Sequence, residues 1–228
     1  MRKNIFAECH VACTKKVASF SVLFYLRGRI MKNIVFDLGG VVFARDPKKC
    51  PKGLVDFFAF IASSDMPVFW NEYDRGTLSW EQVVDALCAY HGCTREVAET
   101  NMQTAVDLQE EIACTHDLIA DLKAAGYSLY VLSNMSKEFI DFLRKLSVYA
   151  LFDGDVVSCE EHTVKPERRI FEILLSRYGL RPCETLFIDD RPANLVTAAD
   201  LGMATFLFDA HNPQTGCEKL RMLLLQNR

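Results

Sequence analysis

The chain has 228 residues, half of them hydrophobic, enough to bury one large core or one core with a smaller inserted module. Its net charge is -4, with no basic stripe and no run of like charge, which gives no footing for nucleic acid. No apolar stretch is long enough to span a bilayer.

The first thirty residues stand apart from the rest. Residues 17–26 are apolar, with Lys15 and Lys16 before them and Arg27 and Arg29 after them, and no small-residue cleavage site follows. Met31 then opens Met31-Lys32-Asn33-Ile34 as a natural start would. Residues 1–30 therefore read as an upstream translated extension, with a membrane-contacting N-terminal helix as the alternative.

Residues 34–36 are short, apolar and followed by glycines, and predict a buried strand ending at Asp37. Residues 47–114 predict helices. Within them Ser79-Trp80-Glu81-Gln82 is a capping box, Val83, Val84, Leu87 and Tyr90 follow at helical spacing, and Gly92 closes the element. Thr115 is placed to cap a helix through Ala125, with Gly126 as the stop. A strand over 127–132 ends at Ser133-Asn134, and Ser136 is placed to cap a helix carrying Phe139, Ile140, Phe142, Leu143 and Leu146. Residues 155–158 predict a strand, and Pro166 suits the first turn of a helix to Tyr178. Residues 185–188 predict a strand ending at Asp189-Asp190. A helix from Pro192 to Leu201, a strand over 204–208 and a helix with Leu220 and Leu223 to Leu225 complete the chain.

Strand and helix alternate through 115–228, which predicts an α/β fold: a doubly wound parallel sheet with helices on both faces. Residues 47–114 interrupt the alternation after the first strand, so 31–46 and 115–228 form the core and 47–114 a small helical cap over the carboxyl edge of the sheet, where ligands bind. The nine cysteines, Cys9, Cys13, Cys50, Cys88, Cys93, Cys114, Cys159, Cys183 and Cys217, include no C-x-x-C pair and read as buried reduced thiols of a cytoplasmic protein.

Four polar features follow predicted strands or lie in the loop after one: Asp37, Ser133-Asn134, Lys165 and Asp189-Asp190. In a parallel sheet these loops open at one edge. They bring together three carboxylates, a hydroxyl and a cation. Carboxylates bind Mg²⁺ together with substrate phosphate oxygens, a lysine and a hydroxyl can hold the remaining oxygens, and an aspartate can attack phosphorus.

The runs Phe36-Asp37-Leu38-Gly39-Gly40-Val41-Val42, Leu132-Ser133-Asn134, Val164-Lys165-Pro166-Glu167 and Phe187-Ile188-Asp189-Asp190, in that order, resemble the four motifs of the haloacid dehalogenase-like hydrolase superfamily. Tyr73-Asp74-Arg75-Gly76-Thr77-Leu78-Ser79 is similar to the cap of its small-molecule phosphatases, nearest to sugar-1-phosphate phosphatases and the phosphatase half of soluble epoxide hydrolase. The resemblance covers 31–209 and implies a Rossmann-like core. It implies Asp37 as nucleophile and Mg²⁺ ligand, the Gly39 carbonyl and Asp190 as further ligands, and Asp189 supporting from behind. It implies Ser133 and Lys165 on the phosphoryl group, with Lys165 orienting Asp37 and Asn134 shaping the loop. The implied reaction is Mg²⁺-dependent hydrolysis of a small phosphorylated metabolite, a sugar phosphate first, through an aspartyl-phosphate on Asp37. The partner is that small molecule, with no nucleic acid and no membrane.

The departure is Gly39, where most phosphatases of the superfamily carry an Asp that protonates the leaving group and then activates water. That help is worth on the order of 10²–10⁴-fold. Asp46, in the loop leaving the first motif, is one candidate replacement; a substrate with a good leaving group is another solution. His162 is a weaker candidate base, and Arg45 and Arg75 are candidate phosphate contacts from the cap. Two other classes stay open: a metal-free haloacid dehalogenase, and a non-catalytic regulatory protein of this fold. A phosphomutase is a weaker possibility, since mutases depend heavily on the missing acid.

Overall fold

The computed structural model describes residues 31–63 and 66–226. The expectation for residues 1–30 lies outside them. Strands form at β1 (Asn33–Phe36), β2 (Phe43–Ala44), β3 (Glu110–Glu111), β4 (Ser128–Ser133), β5 (Gly154–Val157), β6 (Thr185–Asp189) and β7 (Ala204–Leu207). Five of them make one parallel sheet in the order β5-β4-β1-β6-β7. The chain lays down β1 at the centre, moves outward through β4 and β5, then returns to the other side of β1 for β6 and β7. The order reverses at β1, so the crevice of this doubly wound sheet opens at the carboxyl end of β1.

The helices are α1 (Leu54–Phe57), α2 (Val68–Asp74), α3 (Trp80–His91), α4 (Arg95–Asp107), α5 (Ala113–Ala124), α6 (Lys137–Leu143), α7 (Ser158–Glu161), α8 (Arg168–Arg177), α9 (Pro192–Asp200) and α10 (Pro213–Leu225). Successive β1 side chains serve opposite faces, as a strand requires. Ile34 and Phe36 pack with Leu118, Ile119 and Leu122 of α5 and Leu220 and Leu224 of α10. Val35 packs with Ile170, Phe171 and Leu174 of α8 and Leu195 and Ala198 of α9. Both faces are covered, which is why the strands read as continuous apolar runs.

Helices α1 to α4 lie between β2 and β3 and carry a hydrophobic core of their own, with Leu54, Trp70, Tyr73, Val84, Leu87 and Met102 buried in it. Phe139 of α6 joins that core and docks it on the sheet layer. Both tryptophans belong to this helical module, Trp70 in α2 and Trp80 in α3. Ser79 and Gln82 make the reciprocal capping pair at the start of α3, and Gly92 closes it in the left-handed conformation. The strands β2 and β3 pair antiparallel, Phe43 with Glu111 and Ala44 with Glu110, so the chain leaves for the module and returns from it side by side.

Several local expectations are corrected. Thr115 is not the cap of α5. That helix begins at Ala113 after Ile112, and Thr115 lies in its first turn, buried, with its hydroxyl on Cys217 Sγ at 3.5 Å. Ser136 occupies the N-cap position of α6 without its side chain bonding the helix, and α6 ends before Leu146. The helix expected from Pro166 starts at Arg168, because Asn134 occupies both backbone groups of Lys165. Of the described cysteines only Cys217 is buried, and Cys183 is exposed. Tyr90 is also exposed. Among the described residues, no helix is long and apolar enough to cross a membrane.

Candidate active site

Asp37 is the first residue past β1, and its backbone N–H still bonds the Ile188 carbonyl of β6. Its side chain therefore starts from a position fixed by the sheet. Oδ1 accepts three hydrogen bonds: from its neighbour Leu38 N–H at 2.7 Å, from Ser133 Oγ at 3.0 Å and from Lys165 Nζ at 2.8 Å. All three gather on one oxygen.

Lys165 Nζ also reaches Asp189 Oδ2 at 2.7 Å and the Leu132 carbonyl at 2.9 Å. Its side chain is 1% exposed and that of Asp189 is fully buried. A lone ammonium would be driven to give up its proton by such burial, but two carboxylates in contact reverse that and raise the Lys165 pKa. Asn134 holds the lysine's backbone from β4, accepting from Lys165 N–H at 2.7 Å and donating to its carbonyl at 2.9 Å. One side chain thus ties the loop after β4 to the loop that carries the cation.

Asp189 is occupied all round. Besides Lys165, its oxygens accept from Asn194 Nδ2 at 3.0 and 2.9 Å and from Arg191 N–H at 2.7 Å. Asp190, next along, is partly exposed. One carboxylate oxygen from each of Asp37, Asp189 and Asp190 lies within 4.8 Å of the others. Burial pushes the Asp190 carboxyl up to about 6, and the charges of Asp37 and Asp189 add to the rise. Gly40 makes room for this approach. It has φ +73°, and a Cβ there would meet Asp190 Oδ2 at 2.9 Å and Ala210 Cβ at 3.2 Å. Gly39 is exposed, and a Cβ on it would meet nothing within 4 Å.

The helical module reaches this edge through the end of α2. Ser158 Oγ donates to the Asp74 carbonyl and accepts from Met135 N–H, in the loop after β4. The Asp74 carboxylate accepts from the backbone N–H of Ser136 and is close enough to feel the charges of Asp37 and Arg191. Burial pushes its carboxyl up to about 7, against Arg191 and the Ser136 N–H, with Asp37 adding to the rise. It is partly exposed to solvent. Gly76, at φ +76°, lies flat against the backbone of Cys159, where a Cβ would meet the carbonyl oxygen. Arg75 makes a two-pronged bond to Glu167, at 2.6 and 3.1 Å, two residues beyond Lys165.

The sheet edge therefore brings together Asp37, Ser133, Asn134, Lys165, Asp189 and Asp190, with Gly39 at the rim. The other candidates are engaged elsewhere. Asp46 Oδ1 closes a turn on Lys48 N–H. The His162 ring bonds the Arg75 carbonyl. Arg45 donates to the Ala105 carbonyl and sits over the Phe58 ring, and the Arg75 fork is taken by Glu167. Sequence reasoning missed Asn194 and Arg191 as supports of Asp189, and it met Asp74 only as part of a resemblance. Asn194 had a signal, a polar residue in the first turn of a helix directly after a buried carboxylate; the approach of Asp74 had none.

A model of the haloacid dehalogenase-like hydrolases matches residues 31–202. The chain is 28% identical to acyl-CoA dehydrogenase family member 10 of Mus musculus over 222 residues, 86% of this chain but 19% of that protein. It is 28% identical to a sesquiterpene phosphatase of Aspergillus oryzae, over 75% of this chain and 87% of that one. It is also 28% identical to a D-ribitol-5-phosphate phosphatase of Bacteroides thetaiotaomicron, over 83% and 95%. Among solved structures, a haloacid dehalogenase-like hydrolase from Porphyromonas gingivalis superposes with a TM-score of 0.64 at 30% identity, over 84% of this chain and 98% of that chain. A family enzyme from Bacteroides thetaiotaomicron in complex with magnesium has a TM-score of 0.64 at 23% identity, over 79% and 94%.

Proposed function

Because the chain belongs to the haloacid dehalogenase-like hydrolases, we propose that it is a divalent-metal-dependent phosphatase that uses Asp37 as its nucleophile on a small phosphorylated metabolite. The observation that carries this is the position of Lys165, wedged between Asp37 and Asp189 while Asp190 completes a three-carboxylate group. Hard cations prefer such oxygens. The donor set fits one: the second oxygen of Asp37, Asp190 and the Gly39 carbonyl would hold Mg²⁺, and Asp189, already bonded by Lys165, Asn194 and Arg191, would support from behind. When bound, the ion would neutralise charge on the phosphoryl oxygens.

The protein's own groups account for the rest of the first half-reaction. Three donors on Oδ1 hold the Asp37 carboxylate in one orientation, so little reorganisation precedes its attack on phosphorus. Lys165 and the Ser133 hydroxyl would shift part of their bonding to the phosphoryl oxygens as an aspartyl-phosphate forms. A phosphorylated sugar or polyol is the first substrate class, supported by the ribitol-phosphate relative.

The test is hydrolysis of p-nitrophenyl phosphate with and without Mg²⁺. Release should need the metal and vanish in Asp37→Asn. Metal-independent release of chloride from a 2-haloacid would overturn the phosphatase reading in favour of a dehalogenase.

A further inference from the structure

We propose that Asp74, at the end of α2 in the helical module, is the proton donor and acceptor that the core lacks at Gly39. The inference rests on the phosphatase reading above. The other acids and bases near this edge are already engaged. Asp37 is committed as nucleophile, Asp190 to the metal, and Asp189 to three donors. Lys165 is bonded to Asp37, Asp189 and the Leu132 carbonyl. Asp46 holds its turn, His162 holds the Arg75 carbonyl, and Glu167 holds Arg75. Asp74 is the remaining acid whose carboxylate feels the charge of Asp37.

Its placement fits the role. The Asp74 carboxylate hangs on the Ser136 N–H, three residues beyond the Ser133 that bonds Asp37, so one loop positions nucleophile and acid. Its backbone is pinned by Ser158 below and by Gly76 against Cys159. The charged and titratable neighbours are Asp37 from the end of β1, Arg191 from the loop after β6, Cys159 from α7, and Tyr73 beside it. A carboxyl whose pKa is raised to about 7 holds its proton for a useful fraction of the time at neutral pH and can give or take one. The space beside Gly39 is open, so substrate and water can occupy it.

The steps balance. An Asp37 oxygen attacks phosphorus, the bond from phosphorus to the leaving oxygen breaks, and the Asp74 proton passes to that oxygen. Water then attacks phosphorus, its proton returns to the Asp74 carboxylate, and the bond to Asp37 breaks to release phosphate. Because the acid arrives from the inserted module, protonation is available only when that module is seated over the core.

The experiment compares wild type and Asp74→Asn, with Mg²⁺, on an alkyl phosphate and on 2,4-dinitrophenyl phosphate, whose leaving group needs no proton. Asp74→Asn should lower kcat/KM on the alkyl ester by about 10²–10³-fold and on the activated ester by less than about tenfold. Phosphoenzyme should accumulate with the activated ester, because water is no longer deprotonated, and mass spectrometry should find one phosphoryl group on Asp37. The double variant Gly39→Asp with Asp74→Asn should regain turnover of the alkyl ester. In wild type, kcat/KM on the alkyl ester should fall as pH rises, while that on the activated ester should not; this arm needs no variant to fold. Equal losses on both esters, no loss on either, or identical pH profiles would overturn the role of Asp74 while Asp37→Asn still abolished activity. If wild type hydrolyses neither ester, the phosphatase reading falls and this inference falls with it.

Discussion

Replacing Lys165 with Met removes a cation from between two carboxylates and keeps the length of the side chain. Contacts of 2.8 Å to Asp37 and 2.7 Å to Asp189 carry about 6 kcal/mol each at an effective dielectric of about 20. Desolvating three charged groups takes back several kcal/mol per ion, and breaking a buried pair leaves a net loss of about 3–5 kcal/mol. Asp37 keeps Leu38 N–H and Ser133, and Asp189 keeps Asn194 and Arg191 N–H, so neither carboxylate is stripped of partners. What remains is repulsion between two buried anions. Urea unfolding at pH 7 followed by far-UV circular dichroism measures it. With m near 2 kcal/mol/M, the midpoint should drop by about 1.5–2.5 M. Adding Asp37→Asn in the Lys165→Met background removes one anion and should recover about 1–2 kcal/mol. A loss below about 1 kcal/mol at unchanged m, or no recovery in the double variant, would refute the reasoning.

Two further outcomes follow from the same geometry. Gly40→Ala forces a Cβ to within 2.9 Å of Asp190 Oδ2 at φ +73°; the left-handed strain is about 1–2 kcal/mol, and Mg²⁺ affinity by calorimetry should fall more than stability does. Arg75→Ala frees Glu167, whose carboxyl its fork holds at about 2, and because that pair is largely exposed the cost in denaturant titrations at neutral pH should be about 0.5–1 kcal/mol. The sign is fixed by the lowered pKa of Glu167: the wild-type advantage is complete above the unfolded carboxyl's value of about 4.3 and shrinks as pH falls from there towards 2.

The core was readable because its strands are short apolar runs between helices, and because a parallel sheet delivers every strand's carboxyl end to one edge. Asp37, Ser133, Lys165 and Asp189-Asp190 could be placed together from that rule alone. What escaped was set by contacts between distant segments. Thr115 looks like a helix cap, but its hydroxyl answers to Cys217, about a hundred residues away. Pro166 looks like a helix start, but Asn134 holds the backbone of the residue before it. The strands β2 and β3 have two residues each, too few to show any periodicity. Asp74 reaches the core with a separate hydrophobic cluster that docks there through Phe139, and no local pattern encodes docking.

The pairing of Phe43 with Glu111 and Ala44 with Glu110 means that more than sixty residues leave and rejoin the chain at neighbouring positions. A segment anchored this way can be exchanged as a cassette. Its ends already stand a strand's width apart, so a short hairpin turn could bridge them without moving β1 or α5. The architecture thus lets the helical module be rewritten by recombination at two adjacent points. Asp37, Lys165 and the Asp189-Asp190 pair stay in place.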